Sequence, residues 1–193
     1  MQLQGERLIP ADLQRTWAAL NDPDTLKACI SGCESLERTG DNAFQAVVAV
    51  KVGPVSARFK GSLQMSNVQA PNSYTINFDG QGGVAGFGKG SADVSLLAEG
   101  DSTRLRYDAK AQVGGKMAQI GSRLIDAAAT KITEDFFKAF EAHLQAASAP
   151  AGAAATASAT SPAVREGDGG LAKLWWLIGA LVVLAIVYFA IRR

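Results

Sequence analysis

The run Gly83-Val-Ala-Gly-Phe-Gly-Lys-Gly90 has residue types and spacing that could do chemistry. A phosphate-binding loop places two glycines with four residues between them, then a lysine, then a serine or threonine whose hydroxyl reaches a magnesium ion. Here Gly90 occupies the hydroxyl position, and Ser91 comes one residue late. Such a loop must also open a helix whose first amides cradle the phosphate. The residues that follow, Ala92-Asp-Val-Ser-Leu-Leu97, alternate like a strand instead. The glycines are therefore expected to serve a sheet bend and a bulge, and no nucleotide site is expected.

The remaining reactive side chains are few. Cys29 and Cys33 are too close and too few for a disulfide framework, and the single histidine, His143, is distant from both. Buried thiols packed as small apolar groups are the expectation, with no metal site. One histidine does not supply a Ser-His-Asp arrangement. Asp79, Asp93 and Asp108 all fall on strand faces assigned to water. No catalytic, cofactor-binding or metal-ligating residue is expected, and the chain reads as a binding protein without a cofactor.

The elements that would position a binding site follow from hydrophobic period. Residues 2–8 read as a first strand and Pro10–Leu20 as a helix with Leu13, Trp17 and Leu20 on one face. Asp22-Pro23 caps a second short helix ending near Ser31-Gly32. From Glu34 the period becomes two. Phe44, Ala46, Val48, Val50 and Val52 share one face, and Gly53-Pro54 turns the chain. Val55, Ala57, Phe59, Gly61, Leu63 and Met65 then point inward, as do Tyr74, Ile76 and Phe78 after the Pro71-Asn72 turn. Gly90, Ala92, Val94 and Leu96 continue the pattern, and Leu105, Tyr107, Ala109, Ala111 and Val113 end it. The result is an antiparallel meander with one wet and one dry face. Beyond Gly114-Gly115, the residues Met117, Ile120, Leu124, Ala128, Ile132, Phe136, Phe140 and Leu144 form an apolar stripe about 30 residues long. A helix of that length is expected to lie across the dry face, in an α+β fold.

The inward face mixes Phe59, Leu63, Phe78 and Tyr107 with Gly61, Gly80, Gly90, Ala92, Ala109 and Ala111. Small residues facing a helix either let it pack close or leave a hollow; close packing is the default, and curved sheets gripping one helix often keep an apolar pocket. The candidate lining is Phe59, Leu63, Phe78, Phe87 and Tyr107 from the sheet, with Ile120, Leu124 and Phe136 from the helix.

The chain of 193 residues carries 19 Lys and Arg against 18 Asp and Glu, a balance that argues against nucleic acid. Residues 148–170 collapse to Ala, Ser, Thr, Gly and Pro and read as a linker after a domain spanning 1–147. Within 171–193, Leu174–Ile191 holds no charge, proline, asparagine or glutamine and is long enough for one transmembrane helix. Trp175 and Trp176 at one end and Tyr188 near the other suit the headgroup level. The N-terminus has no apolar h-region, so no signal peptide is expected. The expectation is a cytoplasmic domain held to the inner membrane by its C-terminal helix.

Several runs carry a resemblance: Val52-Gly-Pro-Val-Ser-Ala-Arg-Phe-Lys-Gly61, Gly86-Phe-Gly-Lys-Gly-Ser-Ala92, Gly114-Gly-Lys-Met-Ala-Gln-Ile-Gly-Ser-Arg-Leu-Ile-Asp126 and Glu134-Asp-Phe-Phe-Lys-Ala-Phe140. Together they resemble the carbon monoxide dehydrogenase CoxG family over nearly all of residues 1–145. The chain departs from that pattern at Ile30-Ser-Gly-Cys33, where proline usually precedes Gly-Cys. The resemblance implies a START-like helix-grip fold, a curved antiparallel sheet wrapped around a long C-terminal helix. It also implies a partner, a molybdenum hydroxylase of the carbon monoxide dehydrogenase type brought to the cytoplasmic membrane. Joined to the dry face, it suggests that the cavity takes a hydrophobic ligand such as a respiratory quinone. The alternatives are a helix-grip hydrolase or cyclase, and a pure anchor with a filled core.

Overall fold

The computed structural model describes residues 1–147. The linker at 148–170 and the anchor at 171–193, with Trp175, Trp176 and Tyr188, lie outside the described residues. Strand β1 (Gln2–Ile9) leads into helix α1 (Leu13–Leu20), which Asp12 caps through the Arg15 amide at 2.9 Å. Helix α2 (Pro23–Cys29) starts where Asp22-Pro23 places it, the Asp22 carboxylate accepting from the Thr25 amide at 2.8 Å. Six strands follow: β2 (Cys33–Gly40), β3 (Ala43–Val52), β4 (Val55–Gln69), β5 (Ser73–Gln81), β6 (Phe87–Glu99) and β7 (Ser102–Gly114). Helices α3 (Lys116–Gln119) and α4 (Ser122–Ala146) end the described chain.

All seven strands form one antiparallel sheet in the order β1-β7-β6-β5-β4-β3-β2. The register keeps the expected inward residues on one face: Phe44 opposes Leu63, Leu63 opposes Phe78, Phe78 opposes Gly90 and Gly90 opposes Ala111. The alternation was readable because each hairpin turn fixes the register of the strands it joins. Strand β2 is an addition to the sequence reading. Its bulges at Cys33/Ser35 and Arg38/Gly40 break the period, and it buries only Leu36.

The helical stripe needs a larger correction. It is not one helix: Gly121, at φ +94°, breaks it after the single turn of α3. Nor does α4 bury the whole stripe: Phe140 and Leu144 go inside, but the residues before them do not. Successive i+4 steps advance about 40° around a helix, so four of them carry Leu124 about 160° away from Phe140. The structure buries Phe137, Phe140 and Leu144, while Ile132 and Leu124 remain 40% and 49% exposed.

Two clusters make the core. One joins Phe137, Phe140 and Leu144 to Ile9, Leu20, Cys29, Leu96 and Leu105. The other joins Leu36, Phe44, Met65 and Tyr74, with Trp17 edge-on to Tyr74 at 5.4 Å. Where α1 meets the sheet, the buried hydroxyls of Thr16 and Thr103 both donate to the Ala11 carbonyl.

The sheet generates a paired prediction. A β-carbon at Gly90 would overlap the Lys110 carbonyl and stand 2.8 Å from Phe78 Cζ, whereas one at Gly88, on the same face of the same strand, meets nothing within 4 Å. Gly90→Ala is expected to cost about 1–3 kcal/mol in denaturant unfolding and Gly88→Ala less than about 0.5 kcal/mol. Equal costs would mean that the close approach at Gly90 is not a constraint.

Candidate functional site

Three inward aromatic rings, on β4, β5 and β7, lean over glycines of the neighbouring strand or its end. Phe59 on β4 occupies the space a side chain at Gly82 would fill (Cζ at 2.7 Å from that β-carbon position). Phe78 on β5 covers Gly90 on β6, and Tyr107 on β7 covers Gly5 on β1, its Cζ at 2.7 Å from the corresponding position. A glycine leaves room for a ring from the next strand, and the ring covers the bare backbone. Between these rings the inward face is nearly without side chains: Gly61, Gly80, Gly88, Gly90, Ala92, Ala109 and Ala111 form one cross-strand band.

The band lies beyond Val94, which packs against both core clusters, and belongs to neither. Over residues 122–136 of α4 no side chain is fully buried, and the inward residues Phe59, Phe78, Ala92, Ala109 and Ala111 remain partly accessible. The helix is gripped by its C-terminal half, and its N-terminal half leaves the small-residue band only partly covered. The resulting apolar hollow is floored by the small-residue band and walled by Phe59 and Phe78.

The eight expected lining residues divide accordingly. Phe59 and Phe78 are half-buried beside the small-residue band, while Leu63 packs against the second core cluster. Tyr107 stacks on Phe137 (ring centroids 5.5 Å apart, 29° between planes), and Phe136 stacks on Phe140 at 5.7 Å, so both belong to the packed end. Ile120 is half-buried at the break between α3 and α4. Leu124 stands near the β3–β4 turn, 3.8 Å from where a β-carbon at Gly53 would sit. Phe87 is in phase with Lys89, Ser91 and Asp93 on the outer face and is 37% exposed, its ring against Gly114. The same period-two count that placed Gly90 and Ala92 inward places Phe87 outward.

Arg7 went unnoticed in the sequence, although alternation with Leu3, Gly5 and Ile9 puts it on the inward face. Its guanidinium lies 5.8 Å from the Phe137 ring centroid, at the packed end of the hollow. Among the described residues no inward-facing strand position holds Asp, Glu or His. Burial raises the Tyr74 hydroxyl well above its ordinary range, so it stays protonated. The Cys29 and Cys33 thiols are likewise raised by burial, and Cys29 packs in the first core cluster.

Two motifs considered in the sequence resolve structurally. Gly83–Ala85 is a single 3-10 turn that feeds strand β6, not a helix; Gly86, at φ +112°, lies against the Gly114 and Gly115 backbone. His143 sits near Thr25, whose hydroxyl donates to Asp22 at 2.6 Å and lies 3.4 Å from His143 Nε2. The hydroxyl lies between carboxylate and imidazole, the wrong order for an imidazole that must take the hydroxyl's proton. It is a helix cap touching α4; the hydrogen bonds from Thr25 hold the Asp22 carboxyl below its ordinary range.

The profile of the carbon monoxide dehydrogenase CoxG family matches residues 5–145. Comparison with curated proteins gives no match. Among solved structures, a conserved protein from Geobacillus kaustophilus is similar at 28% identity and a TM-score of 0.72, over 76% of this chain and 97% of its own. A START superfamily protein from Mycobacterium smegmatis is similar at 16% identity and a TM-score of 0.58, over 76% of this chain and 98% of its own. The ZhuI aromatase/cyclase from Streptomyces sp. R1128 has a TM-score of 0.57 at 11% identity, over 79% and 98%. The likenesses at 16% and 11% speak for the fold alone. With a seven-stranded curved sheet gripping a C-terminal helix and the family profile spanning the domain, the chain has a START-like fold and belongs to the CoxG family.

Proposed function

We propose that this protein is a non-enzymatic accessory protein that carries a hydrophobic ligand, a respiratory quinone, for a carbon monoxide dehydrogenase-type molybdenum hydroxylase, and holds that enzyme at the cytoplasmic membrane. The observation that carries the ligand part is the band of glycines and alanines facing the unburied half of α4. Native interiors are close-packed, so an apolar space of this kind is kept for an occupant. The non-enzymatic part is supported by the inward face itself, whose strand positions offer no carboxylate or imidazole to move a proton at neutral pH. The partner comes from the family to which the chain belongs. The anchor rests on the apolar stretch Leu174–Ile191 with Trp175, Trp176 and Tyr188 at its ends.

Solvent extraction of the purified chain followed by mass spectrometry is expected to recover a quinone. Ala109→Phe, which puts a ring into the floor of the hollow, should abolish that recovery at a stability cost below about 1 kcal/mol. A filled core would instead lose about 1–3 kcal/mol to overpacking. A chain that yields no quinone and gains no stability when one is added is not a carrier. The anchor has its own measurement: deletion of residues 171–193 is expected to move the partner enzyme from the membrane to the soluble fraction. An enzyme that stays on the membrane would refute recruitment through this tail.

A further inference from the structure

The two ends of the sheet differ in charge and in apolar exposure. Antiparallel topology places the β3–β4 turn, the β5–β6 connection and the β7–α3–α4 passage at one end. They touch: Gly86 lies against Gly114 and Gly115, and Leu124 stands beside the Gly53 turn. Across residues 50–56, 82–89 and 114–126 the charged side chains are Lys51, Lys89, Lys116 and Arg123, all exposed, against Asp126 alone. The opposite end is the reverse. Its connections at 10–13, 20–24, 40–42, 69–73 and 99–102 carry Asp12, Asp22, Asp24, Asp41, Glu99 and Asp101 and no Lys or Arg. A chain with nearly balanced charge thus carries a basic end and an acidic end.

The basic end also presents apolar side chains to water. Val84, at the tip of the 3-10 turn, is 86% exposed, and Leu124, by the β3–β4 turn at the same end of the sheet, is half exposed. Leu8 and Leu97, also well exposed, lie elsewhere, flanking Arg104 on the outer face where it pairs with Glu6 and Glu99. Apolar tips among lysines and arginines suit one surface, an anionic bilayer, where the cations meet headgroup phosphates and the tips enter the acyl boundary.

We propose that this end, with Val84 and Leu124 inserted and Lys51, Lys89, Lys116 and Arg123 on the headgroups, is a docking surface for anionic phospholipid that seats the mouth of the hollow on the bilayer. The inference gives the carrier reading a place of contact, but it stands on the rim's own charge and exposure. A hollow that held no quinone would leave it intact.

The test is hydrogen exchange of the full chain with vesicles of phosphatidylcholine alone and of phosphatidylcholine mixed with phosphatidylglycerol. Amides of 82–88 and 116–125 are expected to exchange about tenfold more slowly on the anionic vesicles, and to return toward the free rate at high salt. The double reversal K116E/R123E should remove that protection while the β7 amides keep theirs. Val84→Asp, at an exposed tip that cannot disturb the core, should weaken it independently. Exchange unchanged in both segments, or slowed equally on neutral vesicles, overturns the proposal. So does protection that survives both variants, or that appears only when an acidic protein replaces the vesicles.

Discussion

Phe136, Phe137 and Phe140 fix one half of α4 against Tyr107, Ile9, Leu96 and Leu105, and the position of the other half follows from that grip. The rings stack or meet edge-on within 5.3–5.7 Å of one another, geometries that add to what their area alone contributes. Arg15 on α1 donates to the Leu144 carbonyl at 3.2 Å and ties the far end of α4 to the same cluster. The first four turns carry Leu124, Ile125, Ala128, Ala129 and Ile132 spread around the helix, with no aromatic anchor among them. A helix held firmly at one end and loosely at the other leaves space beneath its loose end.

The floor of that space is set by a second constraint. Glycine removes the side chain and lets a neighbouring ring or strand approach; it also weakens the strand that holds it. In this sheet the rings of Phe59, Phe78 and Tyr107 cover Gly82, Gly90 and Gly5, which limits the cost. Gly88 is left uncovered, and beside it Ala92 pairs with Ala109, and Gly90 with Ala111, across β6 and β7. Helix and sheet arrive at the same hollow from opposite sides.

How far this was legible in the sequence depends on the element. The sheet faces were readable from period two, and with them Phe59 and Phe78, because tight turns at Gly53-Pro54 and Pro71-Asn72 lock the count. Strand β2 was not, because two bulges and an exposed edge position leave little alternation to detect. On α4 the error had a geometric source: a column of i+4 steps looks like a stripe in text but winds around the cylinder. Phe137 was passed over for that reason, and Leu124 was placed inside when it stands at the rim. The break at Gly121 needed a positive φ that a lone glycine only permits. The polarity of the two ends was invisible in the totals, since 19 basic and 18 acidic residues cancel until topology sorts the turns.

An apolar hollow also constrains how a carrier could work. Measured from water, burying a quinone's isoprenoid tail gains roughly 25 cal/mol for each Å² of apolar surface. Measured from a bilayer it gains almost nothing, because lipid chains are as apolar as leucine. A carrier that loads from membrane and unloads to an enzyme lives on the second scale. Its hollow need only match the bilayer, and a pocket lined by alanine, glycine and phenylalanine does so without polar contacts that would trap the cargo. The step that opposes transfer is then passage of an apolar molecule through water between the two. Bringing the mouth of the hollow to the lipid removes that step, so the placement of the rim matters more to such a carrier than the strength of its grip.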